Sequence, residues 1–316
     1  MTNLSNNDPK SAPKGTPNST HRVHRFVSND FAVRIASVNA TEVVARMQQL
    51  QQTRPLPTVA VGRAMVGALL MASQLKEGQE IGVLIQGEGP LSRVYAHADF
   101  AGKVRGYVNV PQYEPPSYSS VLSLQEAIGG GMLTVVRHQP FQRQPYQGTV
   151  PLVSGEIGDD LAFYLHQSQQ IRSVTSLGVF LDTYGRVEAA GGVIIEVMPG
   201  VEENVIEKIE ANQKNASREI SKMIREKKSP LEIVQPYLEG IAFTEIPHEF
   251  PIEYYCPCSA ERVKNAVSIL GLEELDDMIA KQEKSHITCQ MCGRPYELSI
   301  EDIQEVRNNL YKSSLH

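Results

Sequence analysis

All four cysteines of this 316-residue chain lie within 37 consecutive positions near its carboxy terminus. They form two close pairs, CPC at 256–258 and CQMC at 289–292, with 30 residues between the pairs. Two close pairs with such a spacer are typical of a tetrahedral thiolate site, and Gly293 suits a tight turn after the second pair. Soft thiolate ligands favour zinc over calcium or magnesium. The sequence therefore predicts one Zn²⁺ ion held by Cys256, Cys258, Cys289 and Cys292.

The cysteine pattern leaves several functions open. The four residues are compatible with reduced structural cysteines without a metal, with a purely structural zinc, with a zinc site that also senses oxidants, and with a redox-catalytic dithiol. The first pair departs from the common CxxC form because a single proline separates its cysteines. His286 lies three residues before Cys289, and we expect it at the surface or beside the ligands rather than among them.

The size of the carboxy-terminal segment favours the sensor among these functions. Residues 251–316 contain 7 Lys and Arg against 11 Asp and Glu, and a unit of only 66 residues has a marginal core. A structural zinc ion contributes roughly 10–16 kcal/mol of apparent folding free energy to small thiolate units. Oxidation would remove the metal, and bridges within the pairs would close loops too short to replace its effect. We therefore expect oxidation to unfold this unit.

The rest of the chain divides into three regions by composition. Residues 1–21 are polar and predict a disordered tail. Residues 22–200 mix strand and helix patterns in an order that favours an α+β layered domain over a parallel sheet. We expect helices at 41–51, 61–76 and 158–170, and strands at 31–38, 80–87, 93–99, 104–110, 132–139, 146–153, 176–183 and 191–198. Residues 201–250 predict a helical linker, and residues 251–316 a small α+β zinc-binding domain.

The linker has an unusual charge pattern. Between Glu202 and Lys228, 13 of 27 residues are charged, which predicts a helix with one narrow apolar face. That face consists of Val205, Ile209, Ile220, Met223 and Ile224. The segment is either a solvated connecting helix or a segment close to its own unfolding point, because a narrow face buries little area.

Charge and composition exclude several classes of protein. The net charge of −6 argues against a generally basic nucleic-acid binder. No apolar run approaches the roughly 20 residues that cross a bilayer, and the amino terminus lacks the apolar core of a secretory signal. The chain also has no phosphate-binding loop and no zinc-protease or serine-hydrolase motif. We therefore expect a soluble cytoplasmic protein that binds neither nucleic acid nor membrane.

Several motifs in the chain resemble those of one family, the redox-regulated holdase chaperones known as the 33-kDa chaperonin or heat-shock protein 33 family. The resemblance runs from about residue 22 to the end. It rests on GRAMVGALL, GEGPL, VRGYV, YQGTVPLVSGEI, YLHQSQQ, AAGGVIIEVMPG and VRNNL, together with the CxC and CxxC pairs. Two departures are mild: SQQ stands where the family often has Ser-Glu-Gln, and VRNN replaces a version with isoleucine.

The resemblance implies a function and a mechanism. The reduced, zinc-bound form would be inactive. Oxidants acting together with unfolding conditions would release zinc and form the disulfides Cys256–Cys258 and Cys289–Cys292. The linker would then melt and expose apolar surface that binds unfolding client proteins and prevents their aggregation. Homodimer formation on activation and hand-over to ATP-dependent chaperones are further expectations from the family.

Two other functions compete with this interpretation. A zinc ribbon that binds nucleic acid needs a basic surface, whereas residues 251–316 are acidic. A thiol–disulfide oxidoreductase places its CxxC at a helix amino terminus after a strand. Here Gly293, Arg294 and Pro295 follow the second pair and predict a turn instead.

Overall fold

The fold is taken from a computed structural model of the chain. It describes residues 22–115, 123–142, 144–216, 220–226, 228–247, 250–282 and 285–314. The predicted tail, residues 1–21, lies outside these described residues.

Two β-sheets form the main body. The strands of the first are β3 (Glu80–Gly87), β4 (Arg93–Asp99), β5 (Lys103–Val108), β6 (Gly131–His138), β7 (Tyr146–Pro151) and β11 (Glu253–Tyr254). Their order is β11-β5-β4-β3-β6-β7, and only the pairing of β11 with β5 is parallel. The strands of the second are β1 (Val23–Ser28), β2 (Val33–Asn39), β8 (Arg172–Leu181), β9 (Val187–Val197) and β10 (Phe243–Ile246). Their order is β10-β1-β2-β9-β8, with every pairing antiparallel.

Ten helices are assigned within the described residues. They are α1 (Thr41–Gln51), α2 (Pro55–Ala72), α3 (Leu124–Ile128), α4 (Gly158–Gln169), α5 (Glu203–Ala216), α6 (Ile220–Arg225), α7 (Pro230–Val234), α8 (Ala260–Val267), α9 (Leu272–Ala280) and α10 (Ile300–Ser314). Two short strands, β12 (Ser285–Thr288) and β13 (Pro295–Leu298), pair as a separate two-stranded sheet before α10. The α+β class predicted from the sequence is confirmed.

Helix α2 is the central packing element of the body. It contacts β4 and β5 of one sheet and β8 and β9 of the other, and nearly all of its residues are buried. By length and composition it could cross a membrane, but 83% of its apolar window is buried inside the protein. A Cβ atom on Gly67 would lie 2.4 Å from Cδ1 of Leu161, so glycine permits the close approach of α4. The helix begins and ends earlier than the predicted 61–76, because Pro55 at its first turn starts it.

The linker helices cover the other face of the five-stranded sheet. Ile209, Ile220 and Ile224 are each at most 3% exposed there, while Val205 and Met223 are partly buried. The linker buries more apolar residues than the single narrow face that the sequence predicted. Six further linker residues lie in the hydrophobic core between the linker and the five-stranded sheet. They are Ile206, Ala216, Ile233, Val234, Tyr237 and Leu238. Strand β10, which belongs to the linker, extends the same sheet by pairing with β1. The linker is therefore part of the body and also connects the body to the C-terminal unit.

The C-terminal unit, residues 251–316, has a small core of its own. Its six buried apolar side chains are Val263, Val267, Leu275, Leu298, Ile303 and Val306. Side chains cap the starts of two of its helices, α8 and α10. The Ser259 hydroxyl accepts a hydrogen bond from the backbone of Arg262, and Ser299 and Asp302 cap α10 reciprocally. Six buried side chains are few for a unit of this length, which agrees with a need for further stabilisation.

A buried carboxylate organises the loop before α4. Asp160 is fully buried, and its two oxygens accept hydrogen bonds from four backbone amides. The donors are the amides of Val153, Ser154, Gly155 and Ile157. The neighbouring Asp159 is exposed. Only one of the two acidic residues at this helix start therefore fixes the loop.

We expect Asp160→Ala to lower the free energy of unfolding by about 3 kcal/mol, because it leaves several buried donors without an acceptor. Asp159→Ala is the matched control, with an expected cost of about 0.5 kcal/mol or less. Urea unfolding of both variants measures the difference. Equal costs would show that the loop does not depend on the buried carboxylate.

Candidate metal centre

The two cysteine pairs lie in different parts of the C-terminal unit. Cys256 and Cys258 lie in the irregular segment between β11 and α8, just before the capping Ser259. Cys289 and Cys292 lie in the turn that joins β12 to β13. Backbone hydrogen bonds from Cys289 to the Arg294 carbonyl (2.9 Å) and from Gly293 to the Cys289 carbonyl (2.8 Å) close that turn. The turn predicted after the second pair is therefore present.

The four thiols converge on one point. Their sulfur atoms all lie within 4.8 Å of one another, and each cysteine is half-buried. Sγ of Cys256 lies 3.7 Å from Sγ of Cys289, and Sγ of Cys258 lies 3.4 Å from Sγ of Cys292. Among the described residues no other group of histidine, cysteine and acidic side chains meets the same test. We call this cluster the four-thiol centre.

His286 is not part of the centre. It lies on β12 opposite Glu297, its side chain is exposed, and it is absent from the convergent group. This position fits the expectation of a surface residue.

The ionisation of the thiols is strongly coupled to their surroundings. Burial, and then the adjacent thiols of Cys258 and Cys289, raise the pKa of Cys256. The same causes raise the pKa of Cys292 to about 11. Burial also opposes ionisation of Cys258, but hydrogen bonds from the Tyr296 hydroxyl, 3.0 Å away, and from nearby thiols lower its pKa. Several thiolates cannot form side by side without a cation, and a divalent metal supplies that charge.

The contacts that hold the centre against the body could not be predicted from the sequence. The side chain of Gln51, at the end of α1, donates to the carbonyls of Gly106 (2.5 Å) and Met291 (2.7 Å). Tyr254 on β11 donates its hydroxyl to the same Met291 carbonyl. Met291 lies between the two cysteines of the second pair. Gln51 therefore bridges strand β5 and the cysteine turn directly.

Close backbone packing reinforces this contact. Gly293 has a φ of +69°, and a Cβ atom there would lie 2.6 Å from the carbonyl oxygen of Leu50. Any larger residue would push the turn away from α1. Beside the centre lies an open groove of about 580 Å³, lined mainly by the C-terminal unit. Its lining includes Arg105, Val263, Val267 and Leu270.

The two sheets, the packed linker and the four-thiol centre together define an α+β protein with a carboxy-terminal, cysteine-based metal-site candidate. A family model described as Hsp33 protein matches residues 21–299. The chain therefore belongs to the Hsp33 family.

Individual relatives agree with this assignment. A 33 kDa chaperonin of Synechococcus sp. is 36% identical over 301 residues, covering 94% of this chain and 93% of the relative. A 33 kDa chaperonin of Thermus thermophilus is also 36% identical, with 90% and 86% covered. The crystal structure of the Thermotoga maritima 33 kDa chaperonin superposes with a TM-score of 0.80 at 32% identity, covering 92% of this chain and 99% of that one. Family and names support a chaperone function for this chain.

We expect Gln51→Glu to loosen the cysteine turn, because the variant replaces a donor with a carboxylate that faces two carbonyl oxygens. Hydrogen exchange of the 289–293 turn should rise at least several-fold. Gln49→Glu, on the exposed side of the same helix, is the matched control and should leave exchange unchanged. Unchanged exchange in Gln51→Glu would show that this contact does not hold the turn.

Proposed function

We propose that this chain is a redox-regulated holdase chaperone, inactive while reduced and zinc-bound. On oxidation it releases zinc, forms disulfides and binds unfolding proteins, which prevents their aggregation. The observation that carries the proposal is the four-thiol centre and its direct contact with the body through Met291. A chaperone whose metal centre touches the body in this way can couple the state of its thiols to the surface it exposes.

Zinc is the metal that we propose for the centre. An all-sulfur tetrahedral donor set is typical of zinc or an iron–sulfur cluster. Zn–S bonds of about 2.3 Å at tetrahedral angles separate the sulfur atoms by about 3.8 Å. Two sulfur–sulfur distances, 3.7 and 3.4 Å, are close to that separation, which supports a single ion. Cys256, Cys258, Cys289 and Cys292 would hold it, and the ion would supply the charge that keeps the thiolates together.

We propose that loss of the ion unfolds the C-terminal unit. Its own core has six buried apolar side chains, and the centre joins its first segment to its hairpin. Without the metal, burial and mutual proximity disfavour the thiolate form of Cys256 and Cys292. Oxidation would remove the negative charge of the thiolates that bind the ion. It would thereby also remove the cross-link that the ion makes between the two segments.

The disulfides that we propose are Cys256–Cys258 and Cys289–Cys292. Distance within the folded centre does not select them, since the two sulfur–sulfur contacts given above both join cysteines of different pairs. Chain connectivity does select them once the unit has unfolded. Partners one or two residues apart then remain close, whereas partners about 30 residues apart separate.

We also propose the binding partners of the chain and its location in the cell. Unfolding client proteins are the binding partners, the chain forms a homodimer on activation, and clients pass later to ATP-dependent chaperones. It acts without an enzymatic reaction of its own, in the reducing cytoplasm, where free thiols persist. Nucleic acid and membrane have no role in it.

The direct test measures zinc content and suppression of client aggregation on one sample, before and after peroxide with mild heating. We expect one zinc per chain and little activity before treatment, then zinc loss and strong activity afterwards. Cys289→Ser should bind zinc poorly in the reduced state. Freshly reduced protein without bound metal, or equal activity in both states, would refute the proposal.

Disulfide mapping of the oxidised chain tests the pairing separately. We expect peptides that contain Cys256–Cys258 and Cys289–Cys292 bridges, with the CPC bridge the more easily reduced because its loop is so small. Predominant Cys258–Cys292 or Cys256–Cys289 bridges would show instead that oxidation traps the folded centre.

The linker is the client-binding region in this proposal, because its helices cover a large apolar face of the body. We expect Ile209→Asp with Ile220→Asp to give aggregation suppression in the reduced, zinc-loaded state, since both side chains leave a buried core. Asn204→Asp with Ala211→Asp adds the same charge at exposed positions of the linker and should remain inactive. A zinc-loaded, inactive Ile209→Asp, Ile220→Asp variant with normal linker protection in hydrogen exchange would contradict this role.

A further inference from the structure

The open groove beside the four-thiol centre combines apolar and reactive side chains. Three of the four cysteines line it, namely Cys256, Cys258 and Cys289. Most of the remaining lining is apolar and comes from α8, the turn after α8, β12 and the cysteine turn. Its apolar side chains include Val263, Ala266, Val267, Leu270, Ile287 and Met291. A molecule bound in this groove would therefore lie directly beside thiols of the centre.

The groove has the size and the accessible surface of a small-molecule site. Its volume of about 580 Å³ lies within the roughly 300–1,000 Å³ that is typical of such sites. Leu270 is 54% exposed, so part of the apolar lining is in contact with water. A ligand with an apolar body would remove this surface from water, which favours its binding. Hydrogen peroxide has no apolar body and gains nothing from such a lining.

The charged residues of the groove are both arginines. Arg105 lines it from β5 of the body and Arg262 from α8, and the lining contains no acidic residue. Neither guanidinium forms an ion pair with a carboxylate within the described part of the chain. Guanidinium groups stabilise an oxygen atom that gains negative charge during a reaction. Cleavage of a peroxide O–O bond by a thiolate places that charge on the departing oxygen.

We propose that this groove binds an organic hydroperoxide with a compact apolar body, and that such compounds are the preferred oxidants of the four-thiol centre. The inference rests on the redox function proposed above and names the class of oxidant that starts it. The apolar body packs on Val263 and Leu270, and the peroxide group faces the cysteines. Arg105 and Arg262 stabilise the oxygen atom that leaves.

The reaction consumes two thiolates, one hydroperoxide and two protons. The thiolate of a cysteine in the lining attacks the outer oxygen of the hydroperoxide, and the O–O bond breaks. The alkoxide takes a proton from solvent and leaves as an alcohol. The thiolate of the same pair then attacks the sulfenic acid, forms the S–S bond and expels hydroxide, which a second proton converts to water. The two electrons that the sulfur atoms lose reduce the peroxide to alcohol and water.

The test compares cumene hydroperoxide with hydrogen peroxide on the full reduced chain, by the rate of loss of free thiols. N-acetylcysteine under the same conditions gives the intrinsic ratio of the two rates. We expect the ratio for the protein, cumene hydroperoxide over hydrogen peroxide, to exceed the intrinsic ratio about tenfold or more. Leu270→Asp should remove most of this preference. Ile269→Asp is the matched control and should keep it, because Ile269 is 85% exposed and does not line the groove.

Ala266→Asp places the same charge in the lining and gives a second reading if Leu270→Asp does not fold. Arg262→Gln should slow thiol loss with both peroxides, and unchanged rates would show that this arginine does not stabilise the leaving oxygen. Cumyl alcohol, the product, has no oxidising group and tests binding alone. We expect it to shift the methyl NMR signals of Val263 and Leu270 saturably.

An equal ratio in the protein and in N-acetylcysteine, or cumyl alcohol shifts only at other positions, would overturn the inference. The proposed function would fail in a different way, through loss of thiols to either peroxide without zinc release or suppression of client aggregation. The thiol measurement and the NMR titration still decide the oxidant class in that case, because neither depends on chaperone activity.

Discussion

The convergence of four thiols at one point is the constraint on which the carboxy-terminal part of this protein depends. It joins a segment that leaves the six-stranded sheet to a hairpin more than 30 residues further along the chain. The six buried apolar side chains of the C-terminal unit cannot do this alone, because so small a core leaves little stability beyond the entropy cost of ordering the chain. In the function proposed above, a metal ion bound at the centre would supply the missing cross-link.

The centre also connects the C-terminal unit to the body at one well-defined place. The Met291 carbonyl accepts hydrogen bonds from Gln51 and Tyr254, and Gly293 lies against the last turn of α1. Loosening of the cysteine turn therefore removes contacts with α1 and with β11 together. The linker is held differently, through a larger apolar core and through β10. We therefore expect release of the linker to need more than loss of the metal, in line with the proposed activation by oxidants together with unfolding conditions.

The sequence predicted the elements whose patterns are local. Strands at 80–87 and 93–99 have the predicted bounds, since turn residues flank each apolar run. Strand β1 was missed although it pairs with the adjacent β2, because His24 and Arg25 interrupt its apolar residues. Strand β11 was missed because it has only two residues and pairs with the distant β5. The candidate ligand set, whose four sulfur atoms the structure brings together, followed from the spacing of the cysteines alone. Gln51 could not be found in that way, since it contacts Met291 across 240 positions and looks like any polar residue at a helix end.

Hydrogen exchange along the reduced chain, with and without its metal, tests the central claim most directly. We predict that removal of the metal by a chelator raises exchange first throughout α8, α9, α10 and the β12–β13 hairpin. Exchange at the end of α1 should rise with it, while β3 and β4 in the body stay protected. Unchanged protection of the C-terminal unit after complete metal removal would contradict the account, because the four-thiol centre would then not be what keeps that unit folded.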